Sequence, residues 1–539
     1  MFRLNQLTAQ IRMLLKNHSL RQIDEAYLRS LSHEALVGLS TKLVEDLKEA
    51  RERLNQTPSN SSRPPSSQAP WVRDEAPEDE DEESPPQAPG DEPAAQAESG
   101  EKAQGSVSEP GGQQTCPPAR KPGKQKGAAG YGRTQRLAVT ETVHHRAPCC
   151  ECCGREAAAQ TPQTPWTAHY RLDIERGEGE ALGIRVTHTK HLFYEFSCPC
   201  GHHTRHSPWR AEDEGLWEGI GLSEWRLVGP TLGALIVALT YRARMSRART
   251  QEFLRDWLGI ELSVGTLQRS VEEAARAAAP VEEELVAEVL ESALLHADET
   301  PHPEHGQPLW LWVFVSPATV LFYIGCRTKE MIDNLLADAY GGWLMSDGYL
   351  AYRSYAKRLR CWAHLLRKAK GLEQSLDRAG RRFGADTTAL LNTLMQAIYR
   401  AREGPGADLS SRYQKALDAF RAACEQAQAS RHEKTRALAV EFLNDWEAIF
   451  RVLAHPHLPL TNNEAERALR HWVILRRITY GTRTPQGSRA FALLASIIDT
   501  CRKRQACPWR YLAEVIDRGR RGHPLPSLPV AGSPLMRGV

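Results

Sequence analysis

The sequence predicts a multidomain, mainly helical protein that contains one α/β domain. Three observations indicate this fold class. The 539 residues exceed the size of one compact domain and predict about two to four folded units joined by linkers. Helical periodicity dominates the chain after residue 229, but between residues 292 and 349 the apolar period changes to two, as in strands. A proline-rich acidic segment and a cysteine-rich segment precede the helices.

The N-terminal quarter predicts a helix followed by a linker. Residues 20–54 predict a helix with a partial heptad seam, which fits both a dimerising helix and a helix packed on its own domain. Residues 56–136 are mostly proline, serine, glycine, alanine, glutamine and acidic residues. Because such a segment buries too little apolar surface to offset its conformational entropy, we expect a disordered linker.

Half of the 12 cysteines lie in two short motifs, CCECC at 149–153 and CPC at 198–200. In a chain without a recognisable export signal, such clustering favours metal binding over disulfides. The ligands predicted for one structural Zn²⁺ are Cys150, Cys153, Cys198 and Cys200, although CPC is one residue shorter than the usual C-x-x-C. Three alternatives stay open: a shifted register with Cys149 and Cys152, a ligand from His202 or His203, and a degenerate site.

Residues 222–290 predict a helical region that is similar to a helix-turn-helix. Its first helix carries the apolar stripe Phe253, Leu254, Trp257 and Leu258. Gly259 can end that helix, and Ser263 can cap the next one. The residues of the second helix that could face DNA are Gln268, Arg269 and Arg276. A plain helical hairpin between two domains fits the same pattern.

The segment with a period of two predicts an α/β domain. The strands are SALLHADET, PLWLWVFVS, TVLFYIGC and GGWLMSDGY, with the helix KEMIDNLLADAY before the last. Asp298 and Asp347 each end a predicted strand, where an aspartate alone could be a turn residue. At the ends of two strands of one sheet, however, their carboxylates would converge. A cluster of carboxylates on a rigid sheet suits Mg²⁺, which prefers oxygen ligands.

The stretch TNNEAERALR, residues 461–470, can supply a third carboxylate from a helix. Thr461 to Glu464 fit a capping box, in which Thr461 caps the helix and Glu464 reaches back to the Thr461 amide. This gives Glu464 a structural role. We therefore expect Glu466 to be the carboxylate that takes part in chemistry.

An ordered set of motifs resembles the DDE transposases of the insertion sequence 66 family. The motifs are HADET, WLWVFVSPATVLFY, SDGYLAY, CWAHLLRK, TNNEAERALR and GSRAFALLASIIDT. The resemblance implies an RNase H-like catalytic domain with a helical insertion. It also implies that Asp298, Asp347 and Glu466 form the triad and hold two Mg²⁺ or Mn²⁺ ions. The family often has aspartate in place of Thr461 and usually has no acid in place of Glu464, which leaves the triad positions intact.

The resemblance further implies the activity: cleavage of the transposon ends, followed by transfer of the freed 3′-OH into target DNA. His364, Arg367 and Lys368 in CWAHLLRK would lie near the site, with His364 contacting the scissile phosphate or a metal-bound water. Arg467 and Arg470 could bind phosphates. For these residues a solvated helix face or ion pairs with neighbouring acids are the competing interpretations. A related nuclease without strand transfer, and a DNA-binding regulator or catalytically retired transposase, are the alternative functions.

Composition and resemblance together define the expected partners and location. The net charge is +3, but acidic residues are dense between 71 and 101, whereas arginines are frequent from Arg467 to Arg521. A basic end favours nucleic acid as a partner, although a solvated arginine surface gives the same pattern. We expect a cytoplasmic, nucleoid-associated bacterial protein that forms homo-oligomers. Its expected partners are terminal inverted repeats, target DNA and companion proteins of the same element, and the zinc module is expected to bind transposon ends.

These inferences divide the chain into eight parts. The predicted boundaries are 1–55 for the leucine-rich helical region, 56–136 for the linker, 137–215 for the zinc-binding module, 222–290 for the helix-turn-helix-like region, 291–371 for the first part of the catalytic core, 372–455 for the helical insertion, 456–520 for the last part of the core with the C-terminal helices, and 521–539 for a flexible tail.

Overall fold

The computed structural model of the protein describes residues 23, 25–56, 60, 137–157, 162–177, 183–206, 210–211, 215–336, 340–404 and 408–530. The predicted linker, 56–136, lies almost entirely outside these residues. Among the described helices, none is long and apolar enough to cross a membrane.

Two helices form the described N-terminal region, α1 (Glu25–Ser30) and α2 (His33–Leu54). The prediction of one continuous helix is wrong because Ser32 interrupts it. The Ser32 hydroxyl accepts a hydrogen bond from the Ala35 amide at 3.3 Å and caps α2. Near the end of α2, Glu52 lies 3.2 Å from His432 and 3.1 Å from Lys434. The large apolar side chains left exposed along α2 are Leu36, Val37, Val44, Leu47 and Leu54.

A four-stranded sheet carries the cysteine motifs. Its strands are β1 (Glu141–His145), β2 (Thr164–Arg176), β3 (Ile184–Ser197) and β4 (His203–Arg205). β2 and β3 form a long antiparallel hairpin, β1 pairs in parallel with β3, and β4 pairs antiparallel with β3. CCECC follows β1 and CPC follows β3. Because β1 and β3 are parallel, the two motifs meet at one end of the sheet.

Asp173 of β2 connects this sheet to the helical region. The next helix, α3 (Pro230–Val237), follows the cap residue Gly229, which has no side chain to cap it. Asp173 on the sheet caps this helix instead, since its Oδ1 accepts a hydrogen bond from the Leu232 amide at 2.8 Å. A Cβ at position 229 would lie 2.2 Å from the Asp173 carboxyl carbon, so only glycine permits this approach.

Replacing Asp173 with alanine is expected to lower the free energy of unfolding by about 1–2 kcal/mol, the usual cost of a lost cap. Burial raises the pKa of Asp173, so the folded state binds this proton more tightly than the unfolded chain does. The carboxyl group therefore stabilises the fold less as pH rises through its folded pKa. Asp173→Asn keeps an acceptor oxygen and should remove that pH dependence. Urea unfolding of both variants at mildly acidic and neutral pH measures the two effects.

The helical region continues with α4 (Arg247–Leu258), α5 (Val264–Ala277) and α6 (Val281–Glu291), after a π-helix at Ala238–Arg242. Gly259 ends α4 in the left-handed conformation at φ 64°, and the Ser263 hydroxyl accepts from the Thr266 amide at 3.1 Å. The predicted terminator and cap are therefore confirmed. The predicted apolar stripe is correct for Leu254, which is buried, but Trp257 is 78% exposed.

A five-stranded mixed sheet forms the α/β part. Its strands are β5 (Leu294–Pro301), β6 (Trp310–Val315), β7 (Val320–Gly325), β8 (Trp343–Ser346) and β9 (Arg358–Arg360), with α7 (Lys329–Leu336) between β7 and β8. The spatial order is β7-β6-β5-β8-β9. β5, β6 and β7 are antiparallel neighbours, whereas β8 and β9 run parallel to β5. The predicted order of strands and helix is confirmed, and β9 is an addition that the sequence pattern did not reveal.

In the described part of the chain, eight further α-helices follow the sheet: α8 (Trp362–Glu373), α9 (Arg378–Glu403), α10 (Leu409–Ala427), α11 (Glu433–Asn444), α12 (Trp446–Phe450), α13 (Asn463–Thr479), α14 (Pro485–Lys503) and α15 (Pro508–Arg520). One hydrophobic core joins the sheet to α3 and α5 and to α13, α14 and α15. A second core lies among α8 to α12. The helices predicted in 372–455 thus surround a core of their own, and the segment KTRALAVEFLNDWEAIF forms two helices that meet at Asp445.

The described part of the predicted tail packs against the helices. The Tyr511 hydroxyl donates to the Pro526 carbonyl at 3.1 Å. The Leu528 amide donates to the Glu284 carboxylate at 2.9 Å, and Leu528 is buried. The chain is therefore held in place as far as Pro529, whose carbonyl accepts from Arg504. Residues 531–539 lie outside the described part.

Candidate active site

Two neighbouring parallel strands set Asp298 opposite Asp347. β5 and β8 pair from Leu294 opposite Trp343 to His296 opposite Met345. Two more residues in the same register bring Asp298 beside Asp347 on one face of the sheet. The prediction that Asp298 ends its strand is wrong, since β5 continues to Pro301 in its pairing with β6. The parallel pairing of β5 with β8 ends at His296, two residues before Asp298. Asp347 directly follows the last residue of β8.

The start of α13 is fastened to β5 by Asn462, the residue before the helix. The side-chain nitrogen Nδ2 of Asn462 donates to the Ala297 carbonyl at 2.8 Å, and the side-chain oxygen Oδ1 lies 3.2 Å from His296 Nδ1. Its backbone N–H points to Cys361 Sγ at 3.3 Å. Asn462 is fully buried. It therefore fixes the first turn of α13, which contains Glu466, next to the strand that carries Asp298.

The predicted capping box is wrong. α13 starts at Asn463 with Asn462 as its cap residue, and no side chain caps it. The Asn462 side chain bonds to β5 instead, a tertiary contact that local sequence does not reveal. Glu464 points outward and forms an ion pair with Lys503 of α14 at 2.9 Å.

Asn462→Ala is expected to lower the free energy of unfolding by about 2–3 kcal/mol. The reason is that the substitution leaves the Ala297 carbonyl and the His296 ring buried without partners. The neighbour Asn463 is exposed, so Asn463→Ala is the matched control and should change stability by less than about 0.5 kcal/mol. Equal losses in urea unfolding for the two variants would contradict the tertiary role of Asn462.

Burial and neighbouring carboxylates raise the pKa of Asp298 and of Glu466. Burial raises the pKa of Asp298 well above its ordinary value, and Asp347, Glu299 and Glu466 raise it further. Burial also raises the pKa of Glu466, which Arg367 lowers and Asp347 raises. Carboxylates whose charges oppose one another in this way are stabilised by a cation between them. Because all the donors are oxygens, the set fits a hard divalent ion.

His364 of α8 lies beside Glu466. The distance from His364 Nδ1 to Glu466 Oε1 is 3.8 Å, and Arg367 Nη2 is 3.6 Å from the same oxygen. Within the described part of the chain, both Nδ1 and Oε1 are buried and have no hydrogen-bond partner. Burial, followed by Arg367, Lys368 and Arg360, lowers the pKa of His364 to about 3. The imidazole is therefore neutral, and it offers a lone pair or an N–H without adding charge.

Cys361 also lies in this group, since its sulfur is within 4.8 Å of the His364 and Glu466 ligand atoms. Burial raises the pKa of the Cys361 thiol. A protonated thiol is a poor ligand for a hard cation, so Cys361 serves as a packing residue here.

Sequence reasoning missed Glu299 and its partners behind the two aspartates. Arg327 donates to Glu299 Oε1 from Nε at 3.1 Å and from Nη2 at 2.7 Å, and the Tyr352 hydroxyl donates to Oε2 at 2.9 Å. The Arg327 guanidinium lies over the rings of Trp310 and Tyr349, 4.2 and 4.0 Å from their centroids. Burial and Asp347 raise the pKa of Glu299 to about 7, despite Arg327. The only local signal was an acid directly after Asp298 in HADET.

The loop that holds Asp347 rests on Arg360 of β9. A Cβ at Gly348 would lie 2.8 Å from both terminal nitrogens of Arg360, so a side chain there would displace the guanidinium. Arg360 is fully buried, and its Nε is 3.1 Å from Asp445 Oδ2, while Nη2 bonds to Glu441. The helical block α9 to α12 therefore contacts the Asp347 loop through one buried arginine.

A comparison with family models matches residues 226–490 to the family described as Transposase IS66 family. Residues 226–490 form an IS66 family transposase domain. Two curated relatives of Sinorhizobium fredii strain NBRC 101917 / NGR234 are similar to this chain. The uncharacterized protein y4hP is 28% identical over 48% of this chain and 54% of its own length. The uncharacterized protein y4qI is 25% identical over 44% of this chain and 49% of its own length. The chain spans about half the length of these relatives.

The predicted DNA contacts of the IS66 domain differ in their surroundings. Arg467 and Arg470 are exposed on α13, and Arg269 is exposed on α5. Lys368 donates to Glu441 at 2.7 Å. Gln268 accepts from Arg247 at 3.0 Å and donates to Glu272 at 2.9 Å. The prediction that Arg276 faces DNA is wrong, because this residue is buried and donates to the Ile220 carbonyl.

The predicted set of four cysteines comes together before the IS66 domain begins. Cys150 Sγ is 3.7 Å from Cys200 Sγ, and Cys153 Sγ is 3.6 Å from Cys198 Sγ. All four sulfurs lie within 4.8 Å of one another, so the cluster could hold a metal ion. Four thiolates around Zn²⁺ at about 2.3 Å have sulfurs about 3.8 Å apart, which fits this spacing. The short motif CPC suffices because the Gly201 amide donates to the Cys198 carbonyl at 2.9 Å and closes a tight turn.

The backbone around the cluster supports a thiolate. Hydrogen bonding from the Cys153 amide lowers the pKa of Cys150 to about 6, whereas burial and the other three cysteines raise the pKa of Cys198, so Cys150 ionises first. Of the residues in the alternative ligand sets, Cys149 and Cys152 are exposed and lie outside the cluster. The structure thus favours the predicted register.

Proposed function

We propose that the chain is a DNA transposase that cuts the ends of its element and joins the freed 3′-OH to target DNA. The observation that carries this proposal is the convergence of three carboxylates. Asp298 and Asp347 stand side by side on parallel strands, and Asn462 fastens the helix that delivers Glu466. The sheet order, with three antiparallel strands continued by two parallel ones, supports the RNase H-like fold that the resemblance implies.

Asp298, Asp347 and Glu466 would hold two Mg²⁺ or Mn²⁺ ions. When bound, such ions stabilise the attacking and leaving oxygens of an in-line displacement at phosphorus. The chain's own residues position the substrate. The neutral His364 can donate to or accept from the scissile phosphate or the attacking water without repelling the metals. Arg367, 3.6 Å from Glu466, can hold that carboxylate in place and contact a phosphate oxygen.

The four-cysteine cluster would bind one structural Zn²⁺. Its sheet joins the helical region through the Asp173 cap, so a folded zinc module would present DNA-binding residues in a fixed position relative to α3. We propose that this module binds the transposon ends. The exposed Arg467 and Arg470 follow Glu466 on α13 and are proposed to contact phosphates beside the site, and Arg269 is proposed to contact DNA from α5.

The test is an assay with the full chain, Mg²⁺ and DNA that carries the terminal inverted repeats of its element. We expect cleaved ends and strand-transfer products, both dependent on the divalent ion. Cleavage without joined products would indicate a nuclease. Binding without cleavage would indicate a regulator or a catalytically retired relative.

A further inference from the structure

Two arginines and one histidine form a contact apart from the carboxylate site. Arg244 Nη2 lies 2.7 Å and Arg242 Nη1 lies 3.3 Å from Nδ1 of His471 on α13. The other ring nitrogen, Nε2, is 2.8 Å from the Tyr241 carbonyl and must donate to it. Nδ1 is therefore the acceptor for both guanidinium groups. Burial lowers the pKa of His471 to about 4, so the ring is neutral.

The two guanidinium groups are thus oriented without being neutralised. A structural arginine is usually paired with a carboxylate, which would cancel its charge. Here Arg502 adds a third positive charge. Burial is the largest cause that lowers the pKa of Arg242, and the charge of Arg502 is the second. Asp499 is the acid that acts on Arg242, and its carboxylate accepts from the Trp472 indole at 2.7 Å. The cluster Arg242, Arg244 and Arg502 therefore keeps an excess of positive charge.

The backbone conformation of residues 238–244 is energetically unfavourable. The π-helix Ala238–Arg242 ends at the first arginine, and Arg244 has a left-handed φ of 55°. π-helical turns and left-handed residues other than glycine occur preferentially at functional sites. Arg244 Nε is also buried without a hydrogen-bond partner among the described residues.

We propose that Arg242, Arg244 and Arg502 bind a backbone phosphate of DNA, outside the carboxylate site. Guanidinium groups bind phosphate through paired N–H donors, and two of them are held ready by His471. His471 follows Glu464 by seven residues on α13, so the two side chains lie on the same face of the helix, about 140° around the axis from Glu466. The cluster therefore lies apart from the carboxylates, on the side of α13 where Glu464 pairs with Lys503. This inference rests on the proposed function.

The experiment measures binding of the full chain to a short random-sequence DNA duplex over a series of salt concentrations. Arg242→Gln/Arg244→Gln is expected to bind about tenfold more weakly. The slope of log affinity against log salt should also fall by about 0.9 for each phosphate that the variant no longer neutralises. The control is Arg382→Gln, because Arg382 is an exposed arginine of α9 that pairs with Asp386 at 3.9 Å. This variant should bind DNA like the wild type.

His471→Glu separates binding from folding. A carboxylate would accept from both arginines and neutralise them, although it cannot donate to the Tyr241 carbonyl as the ring does. With the variant shown by circular dichroism to be folded, a purely structural cluster would bind DNA normally, whereas a phosphate site would lose affinity. Unchanged affinity and slope in His471→Glu and in the double arginine variant would overturn the inference while leaving the proposed function intact. A wild-type chain that binds no DNA would overturn both.

Discussion

Glu466→Gln is expected to lower DNA cleavage by roughly a thousandfold, the scale of losing one group that stabilises the transition state. Glutamine keeps the shape of the side chain but removes the negative charge that a divalent ion requires. The measurement is single-turnover cleavage of DNA carrying the terminal inverted repeats, with Mg²⁺ at saturation. DNA binding in a gel-shift assay should be retained, because the substitution removes no basic residue and leaves an amide oxygen or nitrogen beside Arg367.

Glu464→Gln is the matched control for that variant. Glu464 lies two residues earlier on the same helix, and its partner is Lys503 at 2.9 Å. Both side chains are partly exposed, so the loss should be about 0.5 kcal/mol or less in stability, with full cleavage activity. A cleavage defect in Glu464→Gln, together with normal activity in Glu466→Gln, would refute the assignment.

Stability provides a second check on Glu466→Gln. Because burial raises the pKa of Glu466, the folded state binds its proton more tightly than the unfolded chain does. Ionising the group above its folded pKa therefore costs folding free energy. Glutamine removes this cost, so the variant should unfold at the same or a higher urea concentration than the wild type near neutral pH. Loss of activity would then reflect chemistry and not unfolding.

Cys150→Ser is expected to abolish stoichiometric zinc binding and to unfold the two segments that carry the cysteine motifs, 146–157 and 198–206, while the β2–β3 hairpin stays packed on the large core through Leu172 and Ile174. Binding of structural Zn²⁺ contributes an apparent free energy of roughly 10–16 kcal/mol to the folding of zinc-finger peptides near neutral pH. The apolar cluster beside the four cysteines is small, since it contains Ala147 and Phe196 as its main members besides cysteines. A core of this size does not replace the metal. Zinc per chain, measured by atomic absorption, should fall from one to none, and protease cleavage should appear within the module.

The matched control is Cys149→Ser, because Cys149 is exposed beside the cluster. It should retain one zinc per chain and resist protease like the wild type. If Cys149→Ser lost the metal and Cys150→Ser kept it, the shifted register would be correct. Removal of zinc by a chelator should reproduce the Cys150→Ser cleavage pattern in the wild type.

Much of the secondary structure could be predicted because its signals are local. The change of apolar period between residues 292 and 349 gave the strands in their correct order, and Gly259 and Ser263 gave the end of α4 and the start of α5. The errors arose where a local pattern had a tertiary alternative. Thr461 to Glu464 match a capping box, but the hydrogen bonds of the Asn462 side chain with Ala297 and His296 of β5 form instead. Ser32 splits a leucine-rich segment whose pattern predicts one helix.

The candidate site was predictable only in part. Asp298, Asp347 and Glu466 were found through motif resemblance together with strand and helix patterns. Glu299 was not, because its role depends on Arg327 and Tyr352, which lie 28 and 53 residues further along the chain. His471 and the arginines it orients are separated by more than 220 residues. No spacing rule connects such positions.

The sequence by itself determined which residue types the chain has for metal and DNA chemistry, and in which local elements they lie. Tertiary structure decided which of them meet. The parallel register of β5 and β8 sets the two aspartates side by side, Asn462 brings Glu466 to them, and the parallel pairing of β1 with β3 joins cysteine motifs 50 residues apart. The physical reason is that local propensity acts over a few residues, whereas burial and buried hydrogen bonds select among all the contacts that the chain can make.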